Sequence, residues 1–243
     1  MKKPFTIKRL LKIIVGVIIF FTLPTALLFG YVHFKYNEPL PISKPSKEAD
    51  ALALKMLNAL NFDAYKNTDY IEFTFKNRHH YKWNKLENTC EVYWKQKQVN
   101  LDLNNLKNSE VIIGKQAYNG IEKDQYVNKA LNYFYNDAFW LVAPYKVFDN
   151  DVTRSIAKNQ AGEKGLLITY NSGGSTPGDS YLWHLDQNGK PKSYQMWTSI
   201  LPIQGFPASW SDWTTTKTGA VLPTFHKLSM LGLKITGLKT EKE

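Results

Sequence analysis

Histidines, carboxylates and a single cysteine are the side chains here able to do more than pack, and their spacing limits what reaction the chain hosts. His79-His80 is the most metal-like pair. Neighbouring residues of a strand point to opposite faces, so the two rings do not share an ion, and neither stands at a recognised ligand spacing from a third group. His184, between Trp183 and Leu185, and His226, near the end of the chain, read as hydrogen-bonded structural histidines. Asp179, Asp186 and Asp212 are the carboxylates that acid–base chemistry would draw on. Asp186 begins Asp186-Gln-Asn-Gly-Lys190, where an aspartate caps its own turn. Asp212 lies in Trp210-Ser-Asp-Trp213 and is less easily assigned, but one carboxylate is not a site. Cys90 alternates with polar positions in Cys90-Glu-Val-Tyr-Trp94 and reads as a buried strand thiol. Gly173-Gly-Ser-Thr looks like an anion nest, yet no helix signal follows it, and it reads as a hairpin loop. No Gly-x-Ser-x-Gly elbow, phosphate loop or His-Glu-x-x-His helix is present. The expectation is no catalytic set, no metal and no cofactor.

The stronger signal is aromatic. Phe73, Phe75, Trp83, Trp94 and Trp183 fall in strand-like segments, and Trp140 falls near the end of a helical one. Broad aromatic walls line apolar ligand pockets, and the same residues on strand faces serve as plain core. These six are the expected ligand-binding set. Trp197, Trp210 and Trp213 add to the aromatic supply, although alternation does not put all the tryptophans on one face.

Those side chains must be positioned by a sheet and two helices. Ala49, Leu52, Ala53, Met56, Leu57 and Leu60 recur at helical steps over residues 47–60, with Ser46 as N-cap and Glu48 and Asp50 at the positive end of the dipole. A second stripe, Val127, Leu131, Phe134, Ala138 and Leu141, runs to Pro144. Lys146 follows as a candidate cap of that helix's carbonyl end. Elsewhere the pattern alternates, as in Ile71-Phe73-Phe75, Leu166-Ile168-Tyr170 and Tyr181-Trp183-Leu185, with turns at 186–190, 217–219 and 171–178. This predicts an α+β fold: a strongly curved antiparallel sheet, an unclosed half-barrel, with two helices over its concave face.

The start of the chain fixes where that fold resides. Lys2, Lys3, Lys8, Arg9 and Lys12 precede the apolar run Ile13–Phe34, Lys35 follows it, and no acidic residue lies among them. The run is long enough to span a hydrocarbon core, Pro24 inside it is tolerable, and Tyr31, His33, Phe34 and Tyr36 mark a headgroup exit. The charge bias puts the N-terminus in the cytoplasm, so the chain reads as a single-pass protein of the bacterial cytoplasmic membrane with a periplasmic domain. The run exceeds a usual signal core and Leu23-Pro-Thr-Ala26 is a poor cleavage site, which favours a retained anchor. A lipoprotein signal is excluded, because the sole cysteine is Cys90. Of 31 basic and 21 acidic residues, six basic ones belong to the anchor, leaving a net charge of +4 that is no nucleic-acid footprint. The division is anchor 1–36, Pro-rich spacer 37–46 with prolines at 39, 41 and 45, and one extracytoplasmic domain 47–243 without disulfides.

The order of elements resembles the half-barrel of the lipoprotein-carrier (Lol-type) superfamily. Phe139–Asp149, Gly173–Trp183 and Trp210–Trp213 are similar to segments of an uncharacterised membrane-anchored family of the bacterial envelope. The resemblance implies the fold and, through it, an apolar cavity suited to acyl chains, though a shuttling carrier would lack an anchor. The leading expectation is a membrane-tethered, non-catalytic binding domain for a lipid, an acylated protein or another apolar ligand. The alternatives are an envelope scaffold or interaction protein, with an unidentified protein partner, and a periplasmic hydrolase using Asp212 or Asp179 with a histidine.

Overall fold

The computed structural model describes residues 7–174 and 176–242. Lys2 and Lys3 of the basic N-terminus, Ser175 of the glycine-rich loop and Glu243 of the tail lie outside the described residues. Ile7–Tyr36 forms α1, 30 residues with Pro24 inside and no residue buried against the domain. Its most apolar window has a mean hydropathy of 2.5, and at 1.5 Å per residue the helix is about 45 Å long, enough to span a bilayer. Helix α2, Lys47–Ala59, starts where Ser46 Oγ accepts the Ala49 N–H at 3.2 Å. It is followed by a single turn, α3, Phe62–Lys66, which periodicity does not reveal. Helix α4, Lys123–Val142, passes into the 3-10 turn Ala143–Lys146 that contains Pro144. The Lys146 ammonium pairs with Asp149 at 3.0 Å.

Among the described residues, fourteen strands form two antiparallel sheets that do not close into a barrel, as the α+β expectation requires. The larger has nine. Its first six run in meander order: β1 Tyr70–Phe75, β2 His79–Asn84, β3 Thr89–Trp94, β4 Lys97–Asp102, β5 Glu110–Ile113 and β6 Gln116–Ala117. The last three strands, β12 Ser211–Thr215, β13 Val221–Leu228 and β14 Leu231–Glu241, join through pairing of β14 with β1. The smaller sheet holds β7 Val152–Lys158, β8 Lys164–Tyr170, β9 Ser180–Leu185, β10 Pro191–Trp197 and β11 Phe206–Ser209. The chain crosses between sheets at Trp210. There β11 lies beside β13 through side chains: Ser209 Oγ accepts the Lys227 N–H, and the Ser209 carbonyl accepts from His226 Nδ1 at 3.2 Å. No backbone ladder forms at this seam, which divides the expected single sheet in two.

Alternation sets the core. Ile71, Phe73 and Phe75 point inward from β1, and Cys90, Val92 and Trp94 from β3, where burial pushes the Cys90 thiol well above its ordinary range. Helix α4 packs on β4, β5 and β13, and α2 packs on β7 and β8. Tyr145 ties the layers together. Its hydroxyl lies 2.8 Å from the Leu60 carbonyl and 2.7 Å from that of Val221, sharing one proton between them, and accepts the Val221 N–H at 3.1 Å.

Strands β8 and β9 break the alternation, because Leu166, Leu167 and Ile168, and then Ser180 to Trp183, are all buried. One face meets the main core. The other carries Ala157, Leu167, Leu182 and Trp197, and the chain leaving α1 lies across it. Glu38, 7% exposed, accepts from Gln195 Nε2 at 2.8 Å and from the Gln160 N–H at 3.2 Å, while its carbonyl accepts from Trp197 Nε1 at 2.9 Å. Further along, Ser43 bonds Ser155, and Pro45 forms an isolated bridge to the same residue on the β7 edge. Gly205, at φ +74°, sits under Glu38: a Cβ there would stand 2.4 Å from the Glu38 Cγ. Glu38→Ala is expected to lower the unfolding free energy of the full chain by about 1–3 kcal/mol in urea titration, since Gln195 loses its partner in a largely buried setting. Gly205→Ala is expected to cost at least as much, combining strain with the clash.

Candidate functional site

The seam between the sheets is lined by aromatic rings from four strands, a helix and the crossing residue. Trp140 comes from the last turns of α4, Trp183 from β9, Tyr194 from β10, Trp213 from β12 and His226 from β13, with Trp210 at the crossing itself. Trp210 is the hub. Its ring centroid lies 4.8 Å from Trp183, 5.5 Å from Tyr194, 4.4 Å from His226, 6.4 Å from Trp140 and 6.1 Å from Trp213. Trp183 meets Tyr194 edge-on at 4.8 Å, in the T-shaped geometry that aromatic quadrupoles favour. Trp140 and Trp213 are half-buried and carry the cluster to the surface, while Trp213 Nε1 donates to the Pro191 carbonyl at 3.2 Å.

Four polar atoms in this cage are buried without a hydrogen bond of good geometry: Trp183 Nε1, Tyr194 OH, Trp210 Nε1 and His226 Nε2, with the Trp210 indole near Tyr194 and the Trp140 carbonyl near His226. His226 is fully buried, and its Nδ1 must donate, because its partner is a carbonyl. The ring is then the Nδ1–H tautomer, and Nε2 presents a lone pair. Burial lowers its pKa to about 4 against the opposing pull of the Ser209 and Trp140 carbonyls, so the cage holds a neutral imidazole near pH 7. Burial likewise raises the Tyr194 phenol well above its ordinary range, and this group too is neutral. The cage therefore offers two indole donors, one phenol and one imidazole acceptor, with no charge.

A second polar cluster sits under α4. Asp137, 2% exposed, accepts from Tyr81 OH at 2.6 Å and from His79 Nδ1 at 2.7 Å through one oxygen, and from Asn136 Nδ2 at 2.9 Å through the other. The His79 ring stacks on Tyr133 at 4.0 Å. His80 turns to the opposite face, toward Thr74 Oγ1 and Glu72, as strand geometry demands. A carboxylate orienting an imidazole is half of an acid–base relay, but no hydroxyl or thiol among the described residues hydrogen-bonds His79 Nε2. The cluster pins α4 to β2.

The six aromatic residues expected at a ligand site separate into two groups. Trp140 and Trp183 belong to the cage. Phe73, Phe75, Trp83 and Trp94 lie on the inner face of the nine-stranded sheet: Phe73 stacks on Tyr81, Trp83 meets Phe134 and Trp94 meets Tyr133. The carboxylates weighed for hydrolysis do not meet a histidine. Asp179 accepts from the Ser199 N–H, Thr176 Oγ1 and Tyr181 OH, and Asp212 is an exposed residue of β12 in the left-handed region at φ +52°. Four cage members stood outside the expected set: Trp210 and Trp213, read only as aromatic supply, and Tyr194 and His226. His226 carried a signal, since Trp210, Trp213 and His226 lie within one short stretch of chain.

No protein-family model matches the chain, and no curated protein matches it. Among solved structures it is similar to a DUF1329 family protein from Desulfovibrio piger, with 81% of this chain and 94% of that chain covered, 7% identity and a TM-score of 0.40.

His226 makes the fold acid-sensitive. Its folded pKa lies below the unfolded value of 6.5, so between about pH 6.5 and pH 4 the unfolded chain binds the extra proton and stability falls as pH falls. The full effect is about 3 kcal/mol. Urea midpoints measured across this range should decline for the native chain, and His226→Phe should flatten that decline.

Proposed function

We propose that the chain is a membrane-tethered, non-catalytic binding domain whose ligand is an apolar molecule with a neutral polar tip, such as a lipid or an acylated protein. The observation that carries this reading is the set of four buried polar atoms without a well-formed hydrogen bond in one aromatic cage. Each such atom left dry costs about 1–3 kcal/mol, and a core selected for packing alone would place apolar side chains there. The rings supply area for apolar contact, and the cage's donors and its Nε2 lone pair match a group that both accepts and donates, as a hydroxyl or an amide does. The neutrality of His226 disfavours a carboxylate tip. Helix α1 supports the tether: in this reading it spans the cytoplasmic membrane with its N-terminus inside and holds the domain on the periplasmic face.

A second reading, an envelope interaction module, has its own support. Phe73, Phe75, Trp94 and Trp183 are buried, so the concave side is largely occupied by the protein's own side chains, and β6 and β12 end the larger sheet as edges.

Quenching of tryptophan emission by brominated acyl probes separates the two. With the full chain in detergent, a dibromostearyl alcohol is expected to quench saturably and more tightly than the matching carboxylate at neutral pH. Trp210→Phe and His226→Phe should each weaken the alcohol about tenfold. Quenching no greater than detergent dilution produces, or equal quenching in both variants, would overturn the binding-domain reading and favour the interaction module.

A further inference from the structure

The face of the small sheet turned away from the cage carries a separate cleft, of about 370 Å³, where the chain leaves α1. Pro39 and Leu40 form one wall, Pro177 to Ser180 another, and Trp197 to Ser199 with Gln204 the floor. Its volume falls within the range of small-molecule sites. Two of its groups keep hydrogen-bonding capacity that the fold does not use. Thr198 is 5% exposed, and its Oγ1 is buried without a hydrogen-bond partner. Asp179, also 5% exposed, accepts from the Ser199 N–H at 3.0 Å, from Thr176 Oγ1 and from Tyr181 OH at 3.4 Å, and no cationic side chain among the described residues pairs with it. Buried carboxylates are ordinarily paired with a cation, and two oxygens offer about four acceptor positions, so one is left over here.

Position says where a cation would come from. Tyr36 ends α1 and packs edge-on against Phe206 at 5.4 Å, while Asn37 Oδ1 accepts the Gln204 N–H at 2.9 Å. Pro39 and Leu40 follow Tyr36 by three and four residues, a reach of about 14 Å at most. Headgroups occupy roughly 5–8 Å beyond each side of the hydrocarbon, so with α1 spanning the bilayer the cleft is within reach of them.

We propose that this cleft binds the headgroup of a membrane lipid bearing a primary ammonium, of the phosphoethanolamine class. The ammonium donates to Asp179 and to Thr198 Oγ1, and Leu40, Pro39 and Trp197 flank the start of the acyl region. From the proposed function this takes only the membrane-spanning role of α1; the cage is not involved.

The test uses the full chain in nanodiscs of phosphatidylcholine doped with phosphatidylethanolamine, followed by native mass spectrometry after gentle release. The chain should retain an ethanolamine lipid in preference to the choline lipid, whose quaternary nitrogen has no N–H. Asp179→Asn and Thr198→Val should each reduce that preference about tenfold. Thr198→Val removes an unpartnered hydroxyl and is expected to keep the melting temperature, which covers the case in which Asp179→Asn unfolds. Equal retention of the two lipids, or a preference that survives Thr198→Val, would overturn the inference. Competition by soluble glycerophosphoethanolamine as strong as that of the lipid would overturn the membrane source. Flotation with choline-only vesicles separates the readings: a chain that fails to float removes the membrane placement and with it the proposed function. A chain that floats but ignores ethanolamine overturns this inference alone.

Discussion

A five-stranded sheet with apolar side chains on both faces cannot stand with one face in water, and that constraint organises the half of the molecule next to α1. Strands β8 and β9 need a cover on each side. The main core and α2 supply one, and the chain emerging from α1 supplies the other. To lie there the chain must bury Glu38, which requires Gln195 and the Gln160 amide as partners, and it must pass over Gly205, which tolerates no Cβ. The helix, the exit segment and the sheet are thus held in one arrangement by a short list of contacts.

The cage and the cleft use opposite faces of the same two strands. From β9, Tyr181 and Trp183 point toward the aromatic cluster and Ser180 toward the exit segment, and from β10 Tyr194 and Trp197 diverge in the same way. Tyr181 also joins the two physically, because its ring lies 5.2 Å from Tyr194 while its hydroxyl reaches Asp179. The interior of the larger sheet is by contrast a conventional core. Its buried carboxylate, Asp137, accepts from Tyr81, His79 and Asn136 within the fold.

Local periodicity was legible where one face of an element meets water. The alternation of β1 and β3, the stripe and Ser46 cap of α2, and the extent of α4 all follow from residues within the element. The exit segment was not legible. Three prolines and polar neighbours read as a spacer, and Glu38 shows no local sign that its partners lie more than a hundred residues away. Asp137 sits inside a helical stripe and meets His79 and Tyr81 only through the fold. The seam was hidden for a similar reason, since a ladder that fails to form leaves no mark in a pattern of alternating residues. The aromatic set was legible as a composition but not as a place, because which tryptophans share a face depends on the crossing at Trp210.

The docking of residues 37–46 has a practical consequence for any soluble form of this protein. The apparent boundary between spacer and domain, just before α2, is the wrong place to cut. A fragment beginning at residue 47 would present Trp197, Leu182 and Leu167 to solvent and free the β7 edge from Pro45, which is the combination that draws chains into sheet-to-sheet aggregation. A fragment beginning at Asn37 keeps Glu38 and its contacts. The natural unit of expression and crystallisation is therefore defined by the last turn of α1, not by the first helix of the domain.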